Sequence, residues 1–161
     1  MNIIKKFILS KKIRSIKFFA MDCDGVLTDC KTIKNFFMRD GMGIITLMKK
    51  GIKTGIISGD SSPDIEQRAK KLGMNECFLG SKDKIKTLNK IMDKYCLTYN
   101  DIAYIGDDLQ DIDVMKEVGL SIAVNDAAKE VKKVAHFITK AKGGNGAVRE
   151  VCEIIWRSKW M

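Results

Sequence analysis

Short apolar runs alternate with helical patterns along this chain. The apolar and β-branched runs predict strands over residues 16–21, 53–57, 76–79, 102–105 and 120–124, with a weaker one over 136–139. Periodic segments between them predict helices over 43–50, 63–72, 82–95, 111–118, 127–134 and 146–160. The second of these has clear ends. Ser61 and Ser62 precede Pro63 in the first turn, and Gly73 follows the last residue. Strands that read as continuous apolar runs and alternate with helices predict a parallel, Rossmann-like α/β sheet with helices on both faces. In such sheets ligands bind at the carboxyl ends of the strands, so the residues just after each strand come next.

After the first strand stands Asp22-Cys23-Asp24-Gly25, and after the second Ser58-Gly59-Asp60. A loop and then Lys84 follow the third; Gly106-Asp107-Asp108, with Asp111 close behind, follows the fourth. One sheet edge therefore gathers carboxylates, a hydroxyl and a lysine. Two like charges 4 Å apart repel by about 4 kcal/mol at an effective dielectric of 20, so the cluster needs a cation. Oxygen donors without His or Cys suit Mg²⁺, which also binds substrate phosphate. Asp22 can act as a nucleophile on phosphorus. Asp24, two residues on along an extended chain, can face the same phosphate and protonate the leaving oxygen. Ser58 can donate to a phosphoryl oxygen, and Lys84 offers a point charge. Asp107 completes the metal site, with Asp108 and Asp111 behind it. A lone D-x-D or Gly-Asp-Asp is common, the latter as a turn with a helix cap. The argument rests on all four groups falling in order after four successive predicted strands.

Composition narrows the setting. The chain has 161 residues, the length of one domain: a basic leader over 1–15 and a single unit over 16–161. No apolar run approaches the roughly 18 residues that cross a bilayer. One histidine, His136, excludes paired-His metal chemistry. Five scattered cysteines without a C-x-x-C motif read as reduced thiols, which places the chain in the cytoplasm. The net charge of +9 could attract nucleic acid, an anionic surface or a small polyanion. Its source is 24 Lys against 5 Arg, and bidentate phosphate or base readout favours Arg, which weakly disfavours nucleic acid.

Asp22-Cys23-Asp24-Gly25-Val26, Ser58, Lys84 and Gly106-Asp107-Asp108 resemble the four motifs of the haloacid dehalogenase-like phosphatases. The resemblance implies a phosphoaspartyl mechanism with Asp22 as nucleophile and Asp24 as acid and base. It implies Mg²⁺ held by Asp22, the main-chain carbonyl of Asp24 and Asp107, with Ser58 and Lys84 on the phosphoryl group. A closer likeness, running from about 16 to 156, is to phosphatases of 3-deoxy-D-manno-octulosonate 8-phosphate. Its residues are Asp24-Gly25-Val26-Leu27-Thr28-Asp29, Arg39-Asp40-Gly41, Gln67-Arg68-Ala69, Tyr104-Ile105-Gly106-Asp107-Asp108 and, most specifically, the stretch from Gly143 to Glu150. That likeness implies a role in lipopolysaccharide precursor synthesis. It also implies a homotetramer in which Arg68 reaches a neighbour's substrate.

Spacing agrees that no cap domain is present. Only 33 residues separate Asp24 from Ser58 and 48 separate Ser58 from Asp107, and predicted elements fill them. Three departures from the family pattern bear on substrate choice. The stretch from Asp29 to Phe36, where the family projects a β-hairpin flap, is short. Cys30 replaces a glycine. Asp60 stands where octulosonate enzymes carry Arg and sialic-acid-type relatives can carry an acid. The rival readings are a nonulosonate 9-phosphate phosphatase, a polynucleotide phosphatase and a non-catalytic assembly protein. His136, the Met38, Met42 and Met48 group, the Phe18-Phe19 and Phe36-Phe37 pairs, and the Trp156/Trp160 pair read as packing or interface.

Overall fold

The computed structural model describes residues 3–29 and 34–161. Six strands form one sheet: β1 Phe18–Met21, β2 Lys53–Ile57, β3 Glu76–Phe78, β4 Ile102–Gly106, β5 Leu120–Ala123 and β6 Phe137–Ile138. All five pairings are parallel, in the order β3-β2-β1-β4-β5-β6. The central strands are buried on both faces, which explains why their sequences are apolar runs and do not alternate.

The helices are α1 Ile3–Ser15, α2 Met38–Lys49, α3 Pro63–Leu72, α4 Lys84–Tyr95, α5 Ile112–Glu117, α6 Lys129–Val134 and α7 Ala147–Trp160. α1, α2, α3 and α7 cover one face of the sheet, while α4, α5 and α6 cover the other. α1 packs on α7 and buries Ile13, and its Lys12 donates to the carbonyl of Gly119 at 2.8 Å. The described residues contain no inserted cap. No helix among them is long and apolar enough to cross a membrane. Cys30 and the expected flap turn lie outside the described residues.

The chain fills the sheet outward from β1 in one direction through β2 and β3. It then crosses back to β4 and fills the other side. The switch point lies between β1 and β4, where a crevice opens beyond the strand ends. Met21 pairs with Ile105, and the amide of Asp22 donates to the carbonyl of Ile105 at 3.1 Å. Asp22 and Asp107 thus leave adjacent strands on either side of that crevice.

α2 begins at Met38, five residues before the patterned start at Gly43. Gly41 and Gly43 dilute the apolar period there, but both are close-approach points. A Cβ on Gly43 would stand 3.1 Å from the Cβ of Cys152 and 3.3 Å from the Cα of Arg149, so α2 and α7 need glycine to pack as they do. Met38 and Met42 are exposed on α2, so neither belongs to the core, whereas Phe18 and Phe19 are fully buried in it. Trp156 packs against the core and Trp160 is exposed. His136 is a packing residue: its Nδ1 meets the hydroxyl of Ser121 at 2.7 Å.

Asp40 joins α2 to α7. The first amides of a helix lack internal partners, and Gly146, the N-cap of α7, has no side chain to offer. Oδ1 of Asp40 accepts from the amide of Arg149 at 2.7 Å. Burial pushes the Asp40 carboxyl up to about 6, against the pull of the Arg149 and Gly146 amides. The folded chain therefore keeps this proton to a higher pH than the unfolded chain, and stability falls as pH rises from about 4 to 6. Asp40→Asn keeps an acceptor oxygen and loses the charge. Urea unfolding at pH 4.5 and 7 should show the wild type losing about 2 kcal/mol more than this variant across that interval. Equal losses would contradict the assignment.

Candidate active site

Asp22 follows β1 directly and is 2% exposed. Its Oδ1 accepts from the amide of Cys23 at 2.7 Å, and its Oδ2 faces the Lys84 ammonium at 2.9 Å. Lys84 opens α4 and is buried in turn. Its Nζ also lies 2.7 Å from Oδ1 of Asp111 and 3.3 Å from the hydroxyl of Tyr104, which donates to the same Asp111 oxygen at 2.6 Å. Oδ2 of Asp111 accepts the amides of Asp107 at 2.9 Å and Asp108 at 3.2 Å. One fully buried carboxylate thus shapes the loop after β4 and holds the lysine that faces Asp22.

The charges do not balance among these residues. Asp22, Asp107 and Asp111 each place a carboxylate oxygen within 4.8 Å of the others, with one ammonium among them. Burial first, and the charges of Asp22 and Asp111 next, push the Asp107 carboxyl up to about 8. Burial and then Asp111 raise Asp22 as well, against the pull of Lys84. Burial alone would lower Lys84, but Asp22 and Asp111 outweigh it and raise its pKa. Oδ1 of Asp107 is buried with no hydrogen-bond partner among the described residues. An all-oxygen donor set with one orphaned carboxylate oxygen fits a hard divalent cation.

Asp24 sits differently from a strand residue. The chain turns straight after Asp22, with Gly25 at φ +77° and the amides of Val26, Leu27 and Thr28 closing on the carbonyl of Cys23. Of the described amides, none closes on the carbonyl of Asp24. Asp24 is therefore placed by this turn; strand alternation does not place it. Its Oδ1 accepts from Thr28 Oγ1 at 3.1 Å and forms an ion pair with Lys34. Lys34 also reaches Oδ2 of Asp60 at 2.8 Å. Ser58 is buried at the end of β2, and its Oγ accepts the amide of Asp60 at 3.1 Å.

Asp108 is exposed, and its carboxylate caps the short 3₁₀ turn at Leu109–Asp111, accepting the Leu109 amide at 2.8 Å. Arg68 lies on α3 with its guanidinium 5.5 Å from the ring centre of Phe36. It lines a cavity of about 540 Å³ with Lys34, Phe36, Gln67 and Lys71. A second cavity, of about 650 Å³, opens beside Asp107 and is lined by Gly25, Asp29, Asp126 and Lys142–Asn145.

Two residues around the site, Lys34 and Asp126, escaped the sequence reading, and Tyr104 was named only within a family motif, its hydroxyl masked by an apolar strand. Lys34 stands in a stretch without pattern. Asp126 was findable, because it follows the fifth strand just as Asp107 follows the fourth. Its Oδ1 accepts the amide of Gly143 at 2.9 Å. The neighbouring glycines have a steric reason. A Cβ on Gly143 would come 1.7 Å from the carbonyl oxygen of Gly25, and Gly144 has φ +63° against the Thr28–Asp29 backbone. Only glycine lets the loop before α7 lie on the turn that carries Asp24.

Comparison with known proteins agrees with this geometry. Residues 80–151 match the haloacid dehalogenase-like hydrolase family model. The 3-deoxy-D-manno-octulosonate 8-phosphate phosphatase of Yersinia pestis is 38% identical, with 90% of this chain and 82% of that one covered. The chain belongs to the 3-deoxy-D-manno-octulosonate 8-phosphate phosphatase family. The fold of this family member superposes on the Moraxella catarrhalis phosphatase in complex with magnesium, phosphate and the octulosonate, with a TM-score of 0.92. That pair shares 39% identity over 94% of this chain and 91% of the other. The cobalt-bound Haemophilus influenzae phosphatase superposes with a TM-score of 0.89 at 36% identity, over 92% of this chain and 91% of that one.

The raised carboxyls predict how this family member takes up a divalent cation. Between pH 6 and 8 the cation must displace protons held near Asp22 and Asp107, so affinity rises with pH over that interval. Titration with Mg²⁺ calorimetrically, in buffers of different ionisation enthalpy, should show proton release that shrinks toward pH 8. Binding without proton release at pH 6.5 would contradict the assigned charge state.

Proposed function

We propose that this protein is a Mg²⁺-dependent phosphomonoesterase acting on 3-deoxy-D-manno-octulosonate 8-phosphate through a phosphoaspartyl intermediate. The observation that carries the reading is the meeting of Asp22, Lys84, Asp107 and Asp111 at the sheet's switch point, in a chain of this family. Asp22 and Asp111 both pair with Lys84 and with backbone amides, but Asp111 is also tied to the Tyr104 hydroxyl and to the loop after β4, which leaves Asp22, just past β1, for the attack.

Asp22 attacks phosphorus through one carboxylate oxygen, and the bond from phosphorus to the ester oxygen breaks. Asp24 gives its proton to that leaving oxygen. Lys84 holds Asp22 in line, and both Lys84 and Ser58 face the phosphoryl oxygens. Water then attacks phosphorus and Asp24 takes its proton. The bond from phosphorus to Asp22 breaks, which frees phosphate and returns the carboxylate. Mg²⁺, held by Asp22, the carbonyl of Asp24 and Asp107, supplies charge that offsets the crowded carboxylates and the phosphoryl oxygens. The site lacks a lid in its own chain, and we propose a homotetramer in which Arg68 binds a neighbour's substrate carboxylate. The proposed setting is the cytoplasm, in lipopolysaccharide precursor synthesis.

The second reading is a nonulosonate 9-phosphate phosphatase. Asp60 is joined through Lys34 to Asp24, the residue proposed to face the leaving oxygen, so on this reading it would lie where the two sugars differ. Phosphate release with Mg²⁺ on both esters and on a 3′-phosphorylated oligonucleotide separates the readings. The octulosonate ester should be preferred, and Asp22→Asn should lose at least about 1,000-fold. Preference for the nine-carbon ester would move the substrate assignment. Activity on the oligonucleotide alone would overturn the sugar-acid reading.

A further inference from the structure

We propose that Lys34 is the positioning residue for the proton donor Asp24, so that it matters most for esters whose leaving oxygen needs a proton. The inference rests on the phosphatase reading above and deepens it with a residue outside every motif named for the family.

The geometry has three parts. First, the Lys34 ammonium meets Oδ1 of Asp24 and Oδ2 of Asp60, the latter at 2.8 Å, and its side chain is only 12% exposed. Second, Thr28 Oγ1 donates to the same Asp24 oxygen at 3.1 Å. Two donors therefore hold Oδ1, while no hydrogen bond from the described residues reaches Oδ2. That leaves Oδ2 as the oxygen that exchanges protons with the substrate. Third, Asp60 is itself anchored. Its Oδ1 accepts the amide of Ser62 at 3.0 Å, and its own amide donates to Ser58 Oγ. Lys34 thus ties the Asp24 turn after β1 to the loop after β2 that carries the phosphoryl-binding hydroxyl. An exposed ion pair contributes little, but an enclosed ammonium between two anchored carboxylates fixes an orientation. A misplacement of the donor by about 1 Å can cost about 100-fold in rate.

The consequence depends on the leaving group. A sugar alkoxide departs poorly without a proton, so its ester needs Asp24 correctly aimed. p-Nitrophenolate departs unaided, and its ester does not. A lysine that bound the phosphoryl group would serve both alike. A lysine that bound the substrate carboxylate would serve only a sugar acid.

The test uses the full chain with saturating Mg²⁺ and three esters: octulosonate 8-phosphate, ribose 5-phosphate and p-nitrophenyl phosphate. The measured quantity is kcat/KM, which reports steps through the first phosphoryl transfer. Lys34→Met should lower it about 30-fold on both sugar esters and less than about threefold on the aryl ester. Ratios between esters are taken on one preparation, so a partly unfolded sample leaves them unchanged. Lys34→Gln is measured alongside, so that the ratios are read even where methionine at 34 does not fold. An equal loss on all three esters, a loss confined to the ester bearing a carboxylate, or no loss would each overturn the role. A wild type that turns over none of the three would overturn the phosphatase reading, and the role of Lys34 with it.

Discussion

The rest of this structure depends on the crowding of carboxylates around one buried ammonium at the switch point of the sheet. Lys84 lies among Asp22, Asp111 and the hydroxyl of Tyr104, nearly without solvent. In a low-dielectric interior, removing the ammonium would leave buried carboxylates uncompensated, which costs about 3–5 kcal/mol. Three elements must therefore arrive together: the end of β1, the start of α4 and the loop after β4. The parallel pairing of β1 with β4 brings two of them side by side, and Lys84 at the first position of α4 brings the third.

A second arrangement supports the mouth of the site. α2 and α7 pack closely through Gly43, and Asp40 on α2 caps the first turn of α7. The loop before α7 lies on the turn after β1, where Gly143 approaches Gly25 more closely than any side chain permits. The amide of Gly144 closes on the carbonyl of Val26 at 2.8 Å. The position of Asp24 is thus set from two directions, by its own turn and by a segment more than a hundred residues away. Gly143 and Gly144 have this structural task, since they make room for backbone against backbone.

The fold was largely legible because a parallel sheet buried on both faces writes itself as apolar runs. All six strands fall where those runs lie, with β6 shortened to two residues. The order of Asp22, Ser58 and Asp107 just past β1, β2 and β4, with Lys84 opening the helix after β3, was legible because the apolar runs mark the strand ends. Residues joined by tertiary placement were not. Lys34 acts from a stretch with no period, and Tyr104 hides its hydroxyl in an apolar strand. The start of α2 was lost because glycine lowers helix propensity, while close packing on α7 rewards it. Asp108, expected behind the metal site, has its carboxylate on the Leu109 amide as the cap of a turn.

The central claim is that Asp22, held by Lys84, carries the phosphoryl group between the two halves of the reaction. Acid quenching during turnover of the octulosonate ester, followed by mass spectrometry of the digested protein, tests it directly. The account predicts a phosphoryl group on Asp22, formed at the rate of the first transfer and absent from Asp22→Asn. Phosphate release with no trapped acyl phosphate on any time scale, or a phosphoryl group on another residue, would contradict it.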